Sequence, residues 1–472
     1  MLHRLVAWLL AIATVTICQG RVAAQEPPRT MRVELVHSGN ATAEHFALRR
    51  VVVEPLPWPG NPARAVDDTD LGRYLFVVND AQTGRVLYSR GFASIYGEWE
   101  TTAEAQRLER AFDESFRFPM PAGAVRLHIK KRDAGNAFRS IWMVPIDPSA
   151  PDVDRATPPS PGPLIQLHKS GDPADRVDVL ILGDGYTAGE RGKFEADARK
   201  LVRILFDTSP FREHPDRFNV WGLCPEAAAS GISRPSTGHW IRSPINSQYD
   251  AFGSERYILT FDDRSFREAA SFAPYDFVEI LVNGATYGGG GIFGLYATVA
   301  TDSMWAPYVF VHEFGHHFAA LADEYYTSDV AYLPAVDRPE PWEPNVTALH
   351  DPTRFKWTDL VTPGTPLPTP WAKQTFEDHA AAVRARRLEI RTANRPEREM
   401  DALFLQQQRE ETDMLSAEPH AGAVGAFEGA MYEARGYYRP QVDCIMFTRN
   451  SVPFYAVCRR AIERVIDLYT GR

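Results

Sequence analysis

His312-Glu313-Phe314-Gly315-His316, entered through the apolar half-turn Tyr308-Val309-Phe310-Val311, decides what kind of domain surrounds it. On a helix, residues four apart are about 40° out of register, so both imidazoles project to one side and can hold one divalent ion. Glu313, one step on, reaches a water on that ion. Zinc suits two imidazoles and a carboxylate with one position left open. Such an ion brings its water to a pKa of about 7, and Glu313 is placed to act as the general base. Paired histidines on a helix also occur as surface or satisfied core residues. The apolar lead-in, the acidic run after the motif and the absence of a rival motif favour the metal. There is no Gly-x-Ser-x-Gly elbow and no Cys-x-x-Cys, and Gly288–Gly291 is not followed by the Lys-Ser/Thr of a phosphate loop.

The third ligand is harder to read. Asp323 stands eleven residues after His312, about 16 Å along a continuous helix and beyond reach of the ion. The chain must therefore turn after His316 or His317 and bring Asp323 or Glu324 back. Glu428, in Phe427-Glu428-Gly429, is the alternative from a separate element. His317 projects about 100° from His316 and reads as a supporting or substrate-facing group.

Working outward, Val177–Leu182 is a continuous apolar run that suits a buried parallel strand. With a helix over 188–208 and a strand over 218–223 it forms a βαβ unit. A strand over 292–301 leads into the motif helix, expected over 306–321. Gly288–Gly291 would let a backbone approach closely, making this strand an edge to which an extended peptide could add. The charged stretch 375–415 reads as a helical, solvated insertion, and a closing helix is expected over 453–468. Upstream, runs such as Met31–Val36, Leu48–Val53, Tyr74–Val78 and Val125–Lys130 alternate or are β-branched between turn residues, which reads as an all-β sandwich. A proline-rich linker separates the two.

The N-terminus reads as a signal peptide: Met1–Arg4 is positive, Leu5–Ile17 is apolar and Val22-Ala23-Ala24 offers small residues for cleavage. The apolar run, about 13 residues, falls short of the ~20 needed to span a bilayer. Ile17 before Cys18 argues against lipidation there. The expected organisation is signal peptide 1–24, β-sandwich 25–148, linker 149–164 and catalytic domain 165–472. The chain is thus expected to be exported, without a transmembrane segment. With 51 basic against 61 acidic side chains, net −10, and no basic runs, nucleic acid is not an expected partner. Beyond the leader remain Cys224, Cys444 and Cys458. Cys444 and Cys458 close a short loop and are the expected disulfide, worth roughly 3 kcal/mol in the chain-entropy model; Cys224 reads as a buried thiol. Asn345-Val346-Thr347 fits a glycosylation acceptor.

Several blocks together carry a wider likeness: VDVLILGDGYT (177–187), AFGSERY (251–257), HEFGHHFAALADEYY (312–326), GAFEGAMYEARGYYRPQVDCIM (425–446) and FYAVCRRAI (454–462). In this order they resemble the IgA-peptidase-type zinc metallopeptidases, related to the metzincins, and residues 25–148 look like the family's usual partner module. The resemblance implies a multidomain α+β and α/β chain, an N-terminal all-β sandwich followed by a metzincin-like α/β zinc-peptidase domain. It implies His312 and His316 as zinc ligands, Glu313 as catalytic base and Asp323 as the acidic position after the helix, the favoured third ligand. Cys444-Ile445-Met446 resembles a Met-turn, with Met446 as an apolar floor. One departure stands out, since such sites turn at a glycine after the second histidine and this chain has Phe318-Ala319-Ala320-Leu321. The expected function is an exported zinc endopeptidase acting on a protein or peptide substrate. Its rival is a catalytically idle binding or adhesion protein that retains the fold, against which the intact His312, Glu313 and His316 argue.

Overall fold

The computed structural model describes residues 27–328, 330–333 and 337–471; the leader expected at 1–24, with Cys18, lies outside the described residues. The N-terminal region is β-rich. Strands β1 (Arg29–Gly39), β2 (Glu44–Pro57), β3 (Tyr74–Asp80), β4 (Val86–Phe92), β5 (Arg110–Pro119), β6 (Val125–Arg132) and β7 (Phe138–Ile146) form two antiparallel sheets, ordered β2-β1-β5 and β4-β3-β6-β7. A short helix, α1 (Ile95–Trp99), stands between β4 and β5. The period of two explains the layering. Met31, Val33 and Leu35 of β1 share one core with Phe76, Val78, Leu127 and Ile129 of the other sheet. The alternate residues of β1 face the rest of the chain: Arg32 pairs with Glu54 at 2.9 Å, and Glu54 with Arg117 at 3.0 Å. Arg117 also donates to the carbonyl of Tyr275 at 3.0 Å, so this sheet is covered on both faces.

The second region holds a six-stranded sheet. Its strands are β8 (Ile165–His168), β9 (Val177–Asp184), β10 (Phe218–Leu223), β13 (Phe277–Val282), β14 (Gly289–Ile292) and β15 (Tyr296–Ala300), with two-residue strands β11 (Ser247–Gln248) and β12 (Leu259–Thr260) pairing apart. The order is β14-β15-β13-β9-β10-β8. The central four strands are parallel and both edges antiparallel. Every residue of β9 is buried, which is why the run carries no alternation. The βαβ unit is present, with α2 (Arg191–Asp207) joining β9 to the parallel β10. After α3 (Asp263–Ala270) comes the motif helix α4 (Ala306–Ala319), lying against β14 and β15 and flanked by α2 and the closing helix α7 (Ala456–Thr470).

Two expectations change. The single strand read over 292–301 is a hairpin, because Gly294 turns the chain at φ +72° between β14 and β15. The charged stretch 375–415 is a helical hairpin, α5 (Lys373–Thr392) and α6 (Glu397–Ser416), and not wholly solvated: Phe376, Ile390, Met400, Phe404 and Leu415 are buried. A further hairpin, β16 (Phe427–Ala430) and β17 (Glu433–Arg439), follows. Among the described residues no helix is long and apolar enough to cross a membrane.

Candidate metal centre

Helix α4 is buried on most of its circumference, and successive turns present His312 and His316 to one side, their Nε2 atoms 3.2 Å apart. The turn demanded by the spacing occurs at Ala320, which sits in the left-handed region at φ 56°, ψ 30°. Its N–H donates to the carbonyl of His316 and that of Leu321 to the carbonyl of Gly315. The chain reverses and sets Asp323 Oδ1 3.1 Å from His312 Nε2 and 3.2 Å from His316 Nε2. A tetrahedral ion with bonds of about 2.0–2.2 Å separates its ligands by about 3.3–3.6 Å, slightly wider than the 3.1–3.2 Å found here, so the donor set suits zinc once its atoms spread by a few tenths of an ångström. A side chain in the left-handed region costs about 1–2 kcal/mol. Ala320→Gly is therefore expected to raise unfolding stability by about 1 kcal/mol, part of the relief being offset by glycine's greater chain entropy. Equal or lower stability in urea titration would show that the turn is unstrained.

The outer nitrogens fix the tautomers. His312 Nδ1 donates to the carbonyl of Ile445 at 2.9 Å and His316 Nδ1 to that of Leu321. A carbonyl only accepts, so in the neutral form of each imidazole the Nε2 lone pair faces the cluster. Burial pushes the His316 imidazole down, but Asp323 outweighs it and holds the group up at about 9. Burial pushes Asp323 up, and the two imidazoles outweigh that in turn, holding its carboxyl well below the usual range. The Tyr432 hydroxyl donates to Asp323 Oδ2.

Glu313 lies with a carboxylate oxygen within 4.8 Å of the ligand atoms of His312 and His316. Burial holds its carboxyl above the ordinary value, with the imidazoles pulling the other way. The glycines of β14 let the strand lie against this part of the helix. A Cβ on Gly289 would come within 2.5 Å of Val309 Cγ1, and one on Gly291 within 2.4 Å of the Glu313 carbonyl oxygen.

Neither alternative third ligand comes near the histidines. Glu324 turns away: its Oε1 accepts from Asn345 Nδ2 at 3.0 Å and its N–H donates to the carbonyl of Met446 at 2.8 Å. Glu428 pairs with Lys373 at 2.7 Å. His317 is fully buried, its Nδ1 donating to the carbonyl of Ile292 at 3.0 Å and its Nε2 accepting from Val278 N–H at 3.1 Å. Burial lowers its pKa to about 3, so it is a neutral bridge between strands and does not face substrate. Met446 is buried beneath α4, its sulfur 3.1 Å from where a Cβ on Gly315 would stand. Asn345 is fully buried, accepting from the N–H of Ala322 and donating to its carbonyl, which withdraws it as a glycan acceptor. The expected disulfide is absent: Cys444 and Cys458 are free thiols with sulfurs 3.9 Å apart.

The cluster opens into a cleft of about 770 Å³, and the β-rich region supplies part of its wall through Arg73, Glu98 and Arg132. That region is fastened at the rim, with Ala93 N–H donating to the carbonyl of Phe293 at 2.9 Å and Asn136 to that of Glu340 at 2.7 Å. Reading the sequence missed Tyr432 and also Arg256, whose Nη2 donates to the Tyr325 hydroxyl at 3.1 Å and whose guanidinium lies 5.4 Å from the centre of that ring. Arg256 lies in a block quoted for its likeness, yet nothing local marks it as facing the cleft. Gly289 is already bridged on its outer side, to Arg256 and Ile258, which leaves less of the β14 edge open than the glycine run suggests.

Residues 165–466 match the profile of the IgA peptidase M64 family, and residues 24–143 match that of the peptidase M64 N-terminus. No curated protein matches the chain. The chain belongs to the IgA peptidase M64 family, and by that membership it is a peptidase.

Proposed function

We propose that the chain is an exported zinc-dependent endopeptidase with a metzincin-like catalytic domain. The observation that carries the reading is the convergence of His312, His316 and Asp323 at ligand spacing, beside the half-buried carboxyl of Glu313 and on the wall of a cleft of about 770 Å³. The position of Met446 beneath the helix supports the metzincin likeness. The organisation proposed is a leader at 1–24, a β domain at 25–148, a connector at 149–164 and the catalytic domain at 165–472. It is supported by the end of β7 at Ile146 and the start of β8 at Ile165.

His312, His316 and Asp323 would hold the ion, which when bound polarises the scissile carbonyl and acidifies a water. Glu313 would take the proton of the attacking water on a carboxylate oxygen and return it to the leaving amine. The carbonyls of Ile445 and Leu321 keep the imidazoles in the ligating tautomer. Arg256 forms no ion pair among the described residues, and its cation on the cleft wall suits negative charge developing on the scissile carbonyl. Gly291, the next residue of β14 after Gly289 whose main chain alternates to the outer side, offers main-chain groups to an extended substrate.

The test is hydrolysis of a mixed protein substrate by purified protein. Cleavage is expected to stop with a zinc chelator and to return on adding zinc. Cleavage indifferent to chelation would remove the metal from the reaction, and no cleavage by metal-loaded protein would favour the idle binding protein.

A further inference from the structure

Away from the first centre, Glu324, Cys444 and Cys458 bring one carboxylate oxygen and two sulfurs within 4.8 Å of one another, all three residues being buried. The sulfurs stand 3.9 Å apart, and Cys458 Sγ lies 3.5 Å from Glu324 Oε1. A tetrahedral ion with zinc–sulfur bonds of about 2.3 Å and zinc–oxygen bonds of about 2.0–2.2 Å sets its sulfurs about 3.8 Å apart and sulfur from oxygen by about 3.5–3.7 Å. The second carboxylate oxygen, Glu324 Oε2, is buried with no hydrogen-bond partner among the described residues. An interior rarely leaves such an atom unfilled.

We propose that Glu324, Cys444 and Cys458 form a second, structural site for a divalent ion of the zinc class, for which two thiolates and a carboxylate are suitable donors. The two thiols release their protons to solvent as the ion binds. Two thiolates and a carboxylate around a divalent ion leave one net negative charge. The fully buried Arg439, whose guanidinium donates to the carbonyls of Glu428, Gly429 and Val442 and pairs with no carboxylate at salt-bridge distance among the described residues, supplies the opposing charge. The site binds three supports of the first centre into one unit. Glu324 follows Asp323, Cys444 precedes the Ile445 carbonyl that orients His312, and Cys458 belongs to α7. The site is independent of whether the first centre is catalytic.

The test is zinc content by mass spectrometry in three forms of the full-length protein: wild type, Cys444→Ser/Cys458→Ser and His312→Ala/His316→Ala. Two equivalents are expected in the wild type and one in each double variant. Cobalt loaded into the histidine variant should show a sulfur-to-metal charge-transfer band, a readout that survives if the cysteine variant does not fold. Alkylation after unfolding in chelator should label Cys444 and Cys458 separately. A cross-linked Cys444–Cys458 peptide pair, a zinc count that the cysteine double variant leaves unchanged, or no charge-transfer band would overturn the site. Loss of the first centre would appear separately, as an unchanged zinc count between wild type and the histidine variant.

Discussion

Replacing Glu313 by glutamine is expected to lower kcat for peptide hydrolysis by about 10² to 10⁴, the usual worth of a positioned general base, with zinc content unchanged. The substitution keeps the shape of the side chain and removes its ability to take a proton. In the proposed site the ion would be held by His312, His316 and Asp323, whose contacts with one another do not pass through Glu313, so metal retention separates loss of the base from loss of the site. Stability is not expected to fall, since a carboxylate removed from water is itself unfavourable and burial already pushes the Glu313 carboxyl upward. Hydrolysis at the wild-type rate would take Glu313 out of the mechanism. A parallel loss of zinc would instead make it a ligand.

Local periodicity made much of this architecture readable. The apolar run at Val177–Leu182 is a strand buried on both faces, and the four-residue spacing of His312 and His316 puts both rings on one side of α4. Long-range contacts were the opaque part. The return of Asp323 could be demanded from the axial distance but not shown, because it rests on Ala320 adopting a conformation that alanine disfavours. Tyr432 reaches Asp323 from 109 residues away, and no spacing rule connects the two. Asn345 carries a surface-type signal and is buried, since its amide satisfies both backbone groups of Ala322. Gly288–Gly291 announced close approach correctly but not its partner: β14 lies against α4, and its outer side is already bridged at Gly289. The β-rich region could be recognised as a unit of its own. Its place in the cleft wall depends on how two surfaces dock, which a one-dimensional pattern does not encode.

Removing Asp323 tests the return of the chain directly, because among the carboxyls considered it alone meets both imidazoles. Asp323→Ala is expected to weaken zinc binding at the histidine site by more than 100-fold. Tyr432→Phe, which removes only the hydroxyl that orients Asp323 Oδ2, is expected to weaken it by about 10–100-fold, the range for groups that hold a ligand in place. Glu428→Gln should leave it unchanged, because that carboxylate is paired with Lys373. In the metal-free chain Asp323 also holds the His316 imidazole protonated up to about 9 against its burial. Zinc binding near pH 8 should therefore displace a proton from the wild type, and less of one from Asp323→Ala, since neutral His316 is already ready to ligate. Competition against a chelator gives the affinities, and calorimetry in buffers of different ionisation enthalpy gives the proton count. If Asp323→Ala held zinc as tightly as the wild type, the third ligand would have to come from elsewhere, and the turn at Ala320 would lose its chemical purpose.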